Sequence, residues 1–266
     1  MHVLVTGATG GIGQGICEVL SHEFPTQYKD LKLTVTSSRS GDRLDSLVSR
    51  LSQVLPEVFG ISGDVTHPDV CKSLVLESIQ NNGPIDALVC VAGASGPGKL
   101  ENLPLEQWDL TFQLNVRSVW LMAKAAFNSL KETKGSITAI ASMSGLHPHP
   151  GYGAYSPAKA ALIMLCRQLA QEWGEYGIRT NTVCPGMIRT PLTESVYQDA
   201  STKARREALV PVNRIGNALD IGEAVKYLIS SKASYVNGMN LVVDGGVSDH
   251  MLSMIPGRPG KPAVNQ

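Results

Sequence analysis

Short apolar, β-rich runs recur along this chain, and segments of helical length and amphipathic pattern separate them. That alternation constrains the fold more than any other feature. Neighbouring parallel strands need a crossover, and a helix is the usual one. The pattern predicts strands over 3–6, 33–36, 58–61, 87–91, 136–140, 178–183 and 239–243. It predicts helices over 11–24, 43–54, 69–80, 154–173 and 219–229, two more within 105–130, and one or two over 192–209. The sum is an α/β chain: a doubly wound parallel sheet of seven strands, helices on both faces, in a single domain over 1–248. A tail over 249–266 carries Pro256, Pro259 and Pro262 with Gly257 and Gly260, which predicts extended, non-helical backbone. Its Met251, Leu252, Met254 and Ile255 suit packing over a pocket of this subunit or a neighbouring one; a frayed end is the alternative.

Composition narrows the partners. Hydrophobic residues make up 43% of the chain and charged residues 17%, enough to bury a large core. The 23 basic and 23 acidic residues cancel, so there is no electrostatic footprint for nucleic acid or for an anionic membrane. Cys17, Cys71, Cys90, Cys166 and Cys184 are scattered, with no CxxC pair. They predict reduced thiols in a cytoplasmic protein, neither a disulfide framework nor a metal site. The opening apolar run is broken by glycine too soon for a signal peptide, and no run is long enough for a membrane span.

The chemistry begins in the first strand-to-helix turn, where Gly7, Thr9, Gly10, Gly11, Ile12 and Gly13 follow Thr6. A glycine-rich turn lets backbone approach a pyrophosphate, and the helix start offers free N–H groups and a favourable dipole. After the second strand the chain reads Ser37-Ser38-Arg39, with no acid until Asp42. An acid there holds a ribose 2′-hydroxyl; a hydroxyl and a guanidinium suit a 2′-phosphate. NADP(H) is therefore the expected cofactor, with NAD(H) the alternative. Tyr155 and Lys159 lie four residues apart, on one face of a helix, and a nearby ammonium favours phenolate. Ser142 follows a strand at the carboxyl edge, where ligands bind. Asn115 falls inside a helical stretch that suits asparagine poorly, which points to a special hydrogen bond or a kink.

Together, in this order and spacing, these residues resemble the short-chain dehydrogenase/reductase family, in its 3-oxoacyl-reductase-like branch, over nearly the whole chain. The resemblance implies a Rossmann fold and hydride exchange between a nicotinamide and a carbonyl or secondary alcohol. It implies a catalytic tetrad of Asn115, Ser142, Tyr155 and Lys159, with Tyr155 exchanging the proton and Asn115 linking Lys159 to solvent through a water. Gly7 to Gly13 resemble the cofactor turn, and Asp64 and Val65 the pair that contacts adenine. Pro185, Gly186, Ile188 and Thr190 resemble the segment that holds the nicotinamide. One motif departs: where the family often has Asn-Asn-Ala-Gly, this chain has Cys90-Val91-Ala92-Gly93. Ala92 and Gly93 keep the backbone route past the ribose, but Val91 cannot make an asparagine's bonds. The resemblance also implies a small-molecule substrate, a lid near 190–212, and a homotetramer or homodimer. Met143, Tyr152 and Met187 fall at the pocket walls, and His147 and His149 fit a pocket loop better than a metal site. A dinucleotide-binding sensor or scaffold without catalysis is the alternative function.

Overall fold

The computed structural model describes residues 1–24, 28 and 30–250. The chain runs β1 (His2–Thr6), α1 (Gly11–Glu23), β2 (Lys32–Ser37), α2 (Asp42–Ser52), β3 (Val58–Ser62), α3 (Pro68–Asn82), β4 (Ala87–Cys90) and α4 (Leu105–Phe112). It continues α5 (Ser118–Thr133), β5 (Ser136–Ile140), α6 (Tyr155–Trp173), β6 (Arg179–Pro185), α7 (Glu194–Gln198), α8 (Ala200–Leu209), α9 (Ala218–Ile229) and β7 (Asn240–Val243). The seven strands form one sheet in the order β3-β2-β1-β4-β5-β6-β7, every pairing parallel. The order reverses between β1 and β4, and the crevice beyond the carboxyl ends at such a reversal is where open α/β sheets bind ligands.

Local chemistry sets the helix ends. Pro68 opens α3, where its missing N–H costs nothing, and Gly83 closes it at φ +80 with its N–H bonded to the Ile79 carbonyl. Asn217 and Asp220 form a reciprocal capping box at the start of α9. Between α4 and α5 the chain makes a π-helical turn over Gln113–Arg117, with Asn115 at its centre. That turn divides the stretch 105–130, and it is the kink that an asparagine in a helix foreshadows.

Strands buried on both faces create two cores. One holds Val3, Val5 and Val89 with Ile16 and Leu20 of α1 and Ile221 and Val225 of α9. The other holds Leu4, Leu88 and Ile137 with Leu74 of α3, Met122 of α5 and Leu162 of α6. Burying each such side chain contributes roughly 1.5–3 kcal/mol. Gly15 and Gly222 let α1 and α9 meet almost backbone to backbone. All five cysteines are free and buried. The expected tail lies outside the described residues from residue 251 onward.

At the amino edge of the sheet, His2 is 2% exposed and hydrogen-bonded at both ring nitrogens. Nδ1 donates to the Gly83 carbonyl at 2.8 Å, and Nε2 accepts from the Thr34 hydroxyl at 2.8 Å. Asn82 donates to that same hydroxyl at 3.0 Å. The chain of donors leaves Nε2 without a proton, so the ring is neutral, and burial lowers its pKa from the usual 6.5. A histidine whose folded pKa is depressed costs stability once the unfolded chain begins to take up protons. The melting temperature should therefore fall as pH drops through about 6.5 and below. His2→Leu should be less stable than the parent at pH 7.5 and lose part of that acid slope. Thermal scans between pH 5 and 8 on both proteins measure it; equal slopes would clear His2 of the effect.

Candidate active site

Nearly every residue singled out in the sequence lies at the carboxyl edge of the sheet or on a helix facing it. At the end of β1, Gly7 turns the chain at φ +64, and a Cβ there would lie 2.7 Å from the Ala92 nitrogen. A Cβ on Gly13 would press into the Gly7 carbonyl oxygen, and one on Gly11 would lie 2.6 Å from the Thr190 side chain. Gly10 caps α1 in extended conformation, leaving the N–H groups of Gly11, Ile12 and Gly13 without helical acceptors. This side-chain-free cradle at a helix start fits a dinucleotide pyrophosphate. Pro185 ends β6, Gly186 backs onto Asp244, and Ile188 is buried in the core beside the cradle.

Around the cradle the structure supplies what the Val91 departure removes. The Thr6 hydroxyl accepts from the Val91 and Ala92 N–H groups at 3.2 and 3.4 Å. The turn after β4 is thus held from β1 rather than by its own side chain. Asp64 accepts from the Thr66 N–H at 2.9 Å and the Thr66 hydroxyl at 2.8 Å, which together hold its carboxyl below the usual range. Val65 turns its side chain into the core. Arg117, at the end of the π-helical turn, donates to the Thr66 carbonyl at 2.7 Å.

Ser38 and Arg39 follow β2 as exposed residues, and the Arg39 side chain has no partner among the described residues. Arg43 in the first turn of α2 donates to the Thr9 carbonyl at 2.9 Å, beside the Gln14 amide at 3.0 Å. The sequence reading missed Arg43; its signal was a second arginine four residues after Arg39, on the helix that follows.

The tetrad residues come together from three elements. Tyr155 and Lys159 occupy the first turns of α6, and the Lys159 Nζ stands 5.6 Å from the centroid of the Tyr155 ring. Ser142 follows β5, accepts from the Ser144 N–H at 3.0 Å, and lies near enough to Tyr155 to favour its phenolate. Lys159 is 4% exposed, and its ammonium donates to the Ile140 carbonyl at 2.8 Å. Asn115 is 1% exposed; its amide nitrogen donates to the Ala94 and Thr111 carbonyls, each at 2.9 Å. Its Oδ1 is buried with no hydrogen-bond partner among the described residues. A Cβ on Gly93 would sit 2.8 Å from that oxygen and 3.4 Å from the Lys159 amine. Gly93 therefore keeps open the space that Asn115 and Lys159 share, a role invisible in sequence.

Electrostatics here corrects one expectation. Lys159 was expected to lower the Tyr155 pKa, but burial raises it, with the nearby Ser142 hydroxyl pulling the other way. The reason lies in the lysine. Burial pushes Lys159 down to about 8, so near neutrality it carries an easily lost charge, and that charge is turned toward Ile140.

The loop after Ser142 lines one side of the crevice. His149 Nδ1 bonds the Ser144 hydroxyl at 3.0 Å, and its ring stacks on Tyr152 at 3.8 Å between centroids. Tyr152 lies 6.4 Å from Tyr155. Among the described residues no group of side chains is arranged to hold a metal, and no helix is long and apolar enough to cross a membrane.

Residues 7–248 match the family described as enoyl-(acyl carrier protein) reductase. Glucose 1-dehydrogenase of Gluconobacter oxydans is 33% identical over 253 residues, covering 92% of this chain and 91% of the relative. The 3-oxoacyl-[acyl-carrier-protein] reductase FabG of Thermotoga maritima is 31% identical over 247 residues, covering 92% and 96%. Levodione reductase has a solved structure that superposes with a TM-score of 0.84 at 27% identity, covering 93% of this chain and 97% of that one. The chain belongs to the short-chain dehydrogenase/reductase family. Members are oxidoreductases that use nicotinamide dinucleotides to interconvert CH–OH and C=O groups.

A lysine whose folded pKa is depressed from 10.5 to about 8 costs stability below pH 8. That cost is relieved as pH rises toward the unfolded value. The stability of the parent protein relative to Lys159→Met should therefore improve as pH rises from 7 to 9.5. Denaturant melts of both proteins at several pH values read it out; a flat difference would mean that Lys159 titrates normally.

Proposed function

We propose that this chain is an NADP(H)-dependent oxidoreductase that interconverts a carbonyl compound and a secondary alcohol through Ser142, Tyr155, Lys159 and Asn115. The observation that carries this reading is the buried Lys159 amine 5.6 Å from the Tyr155 ring, at the mouth of a cradle that fits a dinucleotide. NADP(H), when bound along Gly7–Gly13, Ala92–Gly93 and Pro185–Thr190, supplies or takes the hydride. The Tyr155 hydroxyl gives its proton to the substrate oxygen in reduction and takes it back in oxidation. Ser142 holds that oxygen by a hydrogen bond, placing it against the tyrosine. Lys159, ionising near neutral pH, restores the proton to the phenolate. The unpartnered Oδ1 of Asn115 is where a water hydrogen-bonds and relays protons between Lys159 and solvent.

Cofactor choice rests on the unpaired guanidinium of Arg39 beside Ser38, with no acid in the turn to hold a bare 2′-hydroxyl. The free, buried cysteines fit a reducing cytoplasm. A homodimer or homotetramer is supported by an apolar groove along α4 and α5, lined by Phe112, Val116, Trp120 and Leu165.

A panel of ketones with NADPH, and of secondary alcohols with NADP, tests the activity. Tyr155→Phe should bind NADPH but lose about 10²- to 10⁴-fold in turnover. Full activity in that variant would remove Tyr155 from the mechanism. NADPH binding with no turnover in the parent protein would favour a sensor. Arg39→Ala should weaken NADPH by about tenfold or more and leave NADH little changed. Equal losses for both cofactors would refute the phosphate reading.

A further inference from the structure

The loop that joins Ser142 to Tyr155 is tied to both of its ends through one residue, His149. At the first end, Ser142 opens the short 3-10 turn Met143–Gly145, and its Oγ accepts from the Ser144 N–H at 3.0 Å. That bond occupies a lone pair of Ser142 and leaves its proton to be donated elsewhere. Ser144 is buried, and the one partner of its hydroxyl among the described residues is the His149 Nδ1 at 3.0 Å. At the other end, the His149 N–H donates to the Ser156 hydroxyl at 3.1 Å, in the first turn of α6. The His149 ring lies on that of Tyr152, with 3.8 Å between centroids and 25° between planes. Tyr152 is a fixed support for it. The Tyr155 N–H donates to the Tyr152 carbonyl at 3.0 Å. On either side of Tyr152, the Gly98 N–H donates to the Gly151 carbonyl at 2.8 Å and the Gly153 N–H to the Gly98 carbonyl at 2.9 Å.

We propose that His149 is a positioning residue: its ring nitrogen holds the Ser144 turn, and through it the Ser142 hydroxyl, where that hydroxyl and Tyr155 meet one substrate oxygen. This rests on the carbonyl–alcohol reading of the site. Two donors that converge on one atom must agree closely, and a misplacement of about 1 Å costs on the order of 10²-fold in rate. The imidazole supplies two separable things, a polar nitrogen toward Ser144 and an aromatic face toward Tyr152. His149→Phe keeps the face and removes the nitrogen, which leaves the buried Ser144 hydroxyl without its partner. His149→Asn sets an amide where Nδ1 stands, able to accept or to donate there, and gives up the face. Burial holds the His149 pKa below the usual 6.5, so above neutrality the ring is uncharged and a neutral amide replaces like with like.

The test is steady-state kinetics near pH 7.5 with NADPH and whichever ketone of the panel the parent reduces fastest. Turnover is expressed per NADPH-binding site, so loss of folded protein does not enter. His149→Phe should lower kcat by about 10- to 100-fold, with KM and NADPH affinity each within about threefold of the parent. His149→Asn should bring kcat back to within about threefold. Ser144→Ala should lower kcat as His149→Phe does, and the double variant should be no slower than the slower single one, because both changes remove the same bond. A His149→Phe enzyme as fast as the parent overturns the positioning role and leaves the oxidoreductase reading standing. So does a His149→Asn enzyme as slow as His149→Phe, a pair of losses that multiply in the double variant, or a loss that falls on KM or NADPH affinity instead of kcat. No turnover of any ketone or alcohol by the parent overturns both.

Discussion

A parallel sheet covered by helices on both faces leaves only its strand ends open. All seven strands point the same way, so their carboxyl ends share one edge. Backbone N–H and C=O groups at that edge have no further strand to pair with, and they must find turns, side chains or a ligand. The order reversal between β1 and β4 parts the crossover helices there and opens the crevice. Thr6, at the end of β1, shows how tightly the edge is tied: one hydroxyl holds the Val91 and Ala92 amides of the neighbouring strand end. The candidate cofactor cradle and the tetrad lie along this edge because little else in the fold is left unpaired.

Within the edge the costly element is Lys159. A lysine amine with almost no exposure, and no carboxylate beside it among the described residues, is kept in place by one carbonyl, that of Ile140. Gly93 and Asn115 surround it with space and with an acceptor that lacks a donor. An orphaned, buried amide oxygen is unfavourable, and a π-helical turn is a rare backbone state; both occur at the same residue. Coincident local costs of this sort mark functional sites, because stability alone would remove them.

Much of this was legible in the sequence. The alternation of short apolar runs with helical segments gives seven strands and their crossovers within a few residues, because a sheet covered on both faces needs continuously apolar strands. Asn115 was out of place in a helix, and the structure answers with a kink and two carbonyl acceptors. Less legible was anything that depends on two distant segments meeting. The Thr6 hydroxyl is an ordinary strand threonine until β4 lies beside it. Gly93 is an ordinary turn glycine until α6 and the π-helical turn close on it.

The sequence by itself determined the fold class, the strand order's raw material and the candidate reactive side chains, since local pattern and residue chemistry need no partner to be read. Tertiary structure decided their surroundings, and with them the direction in which each pKa moves. The Tyr155–Lys159 spacing puts phenol and amine on one helical face, but only burial between β5, β6 and α6 sets which proton each holds. Sequence reasoning had the lysine acidify the tyrosine. The folded chain desolvates both and turns the lysine to Ile140, and burial raises the Tyr155 pKa against the opposing pull of Ser142. Desolvation is a property of everything packed around a group, and no spacing along the chain encodes it.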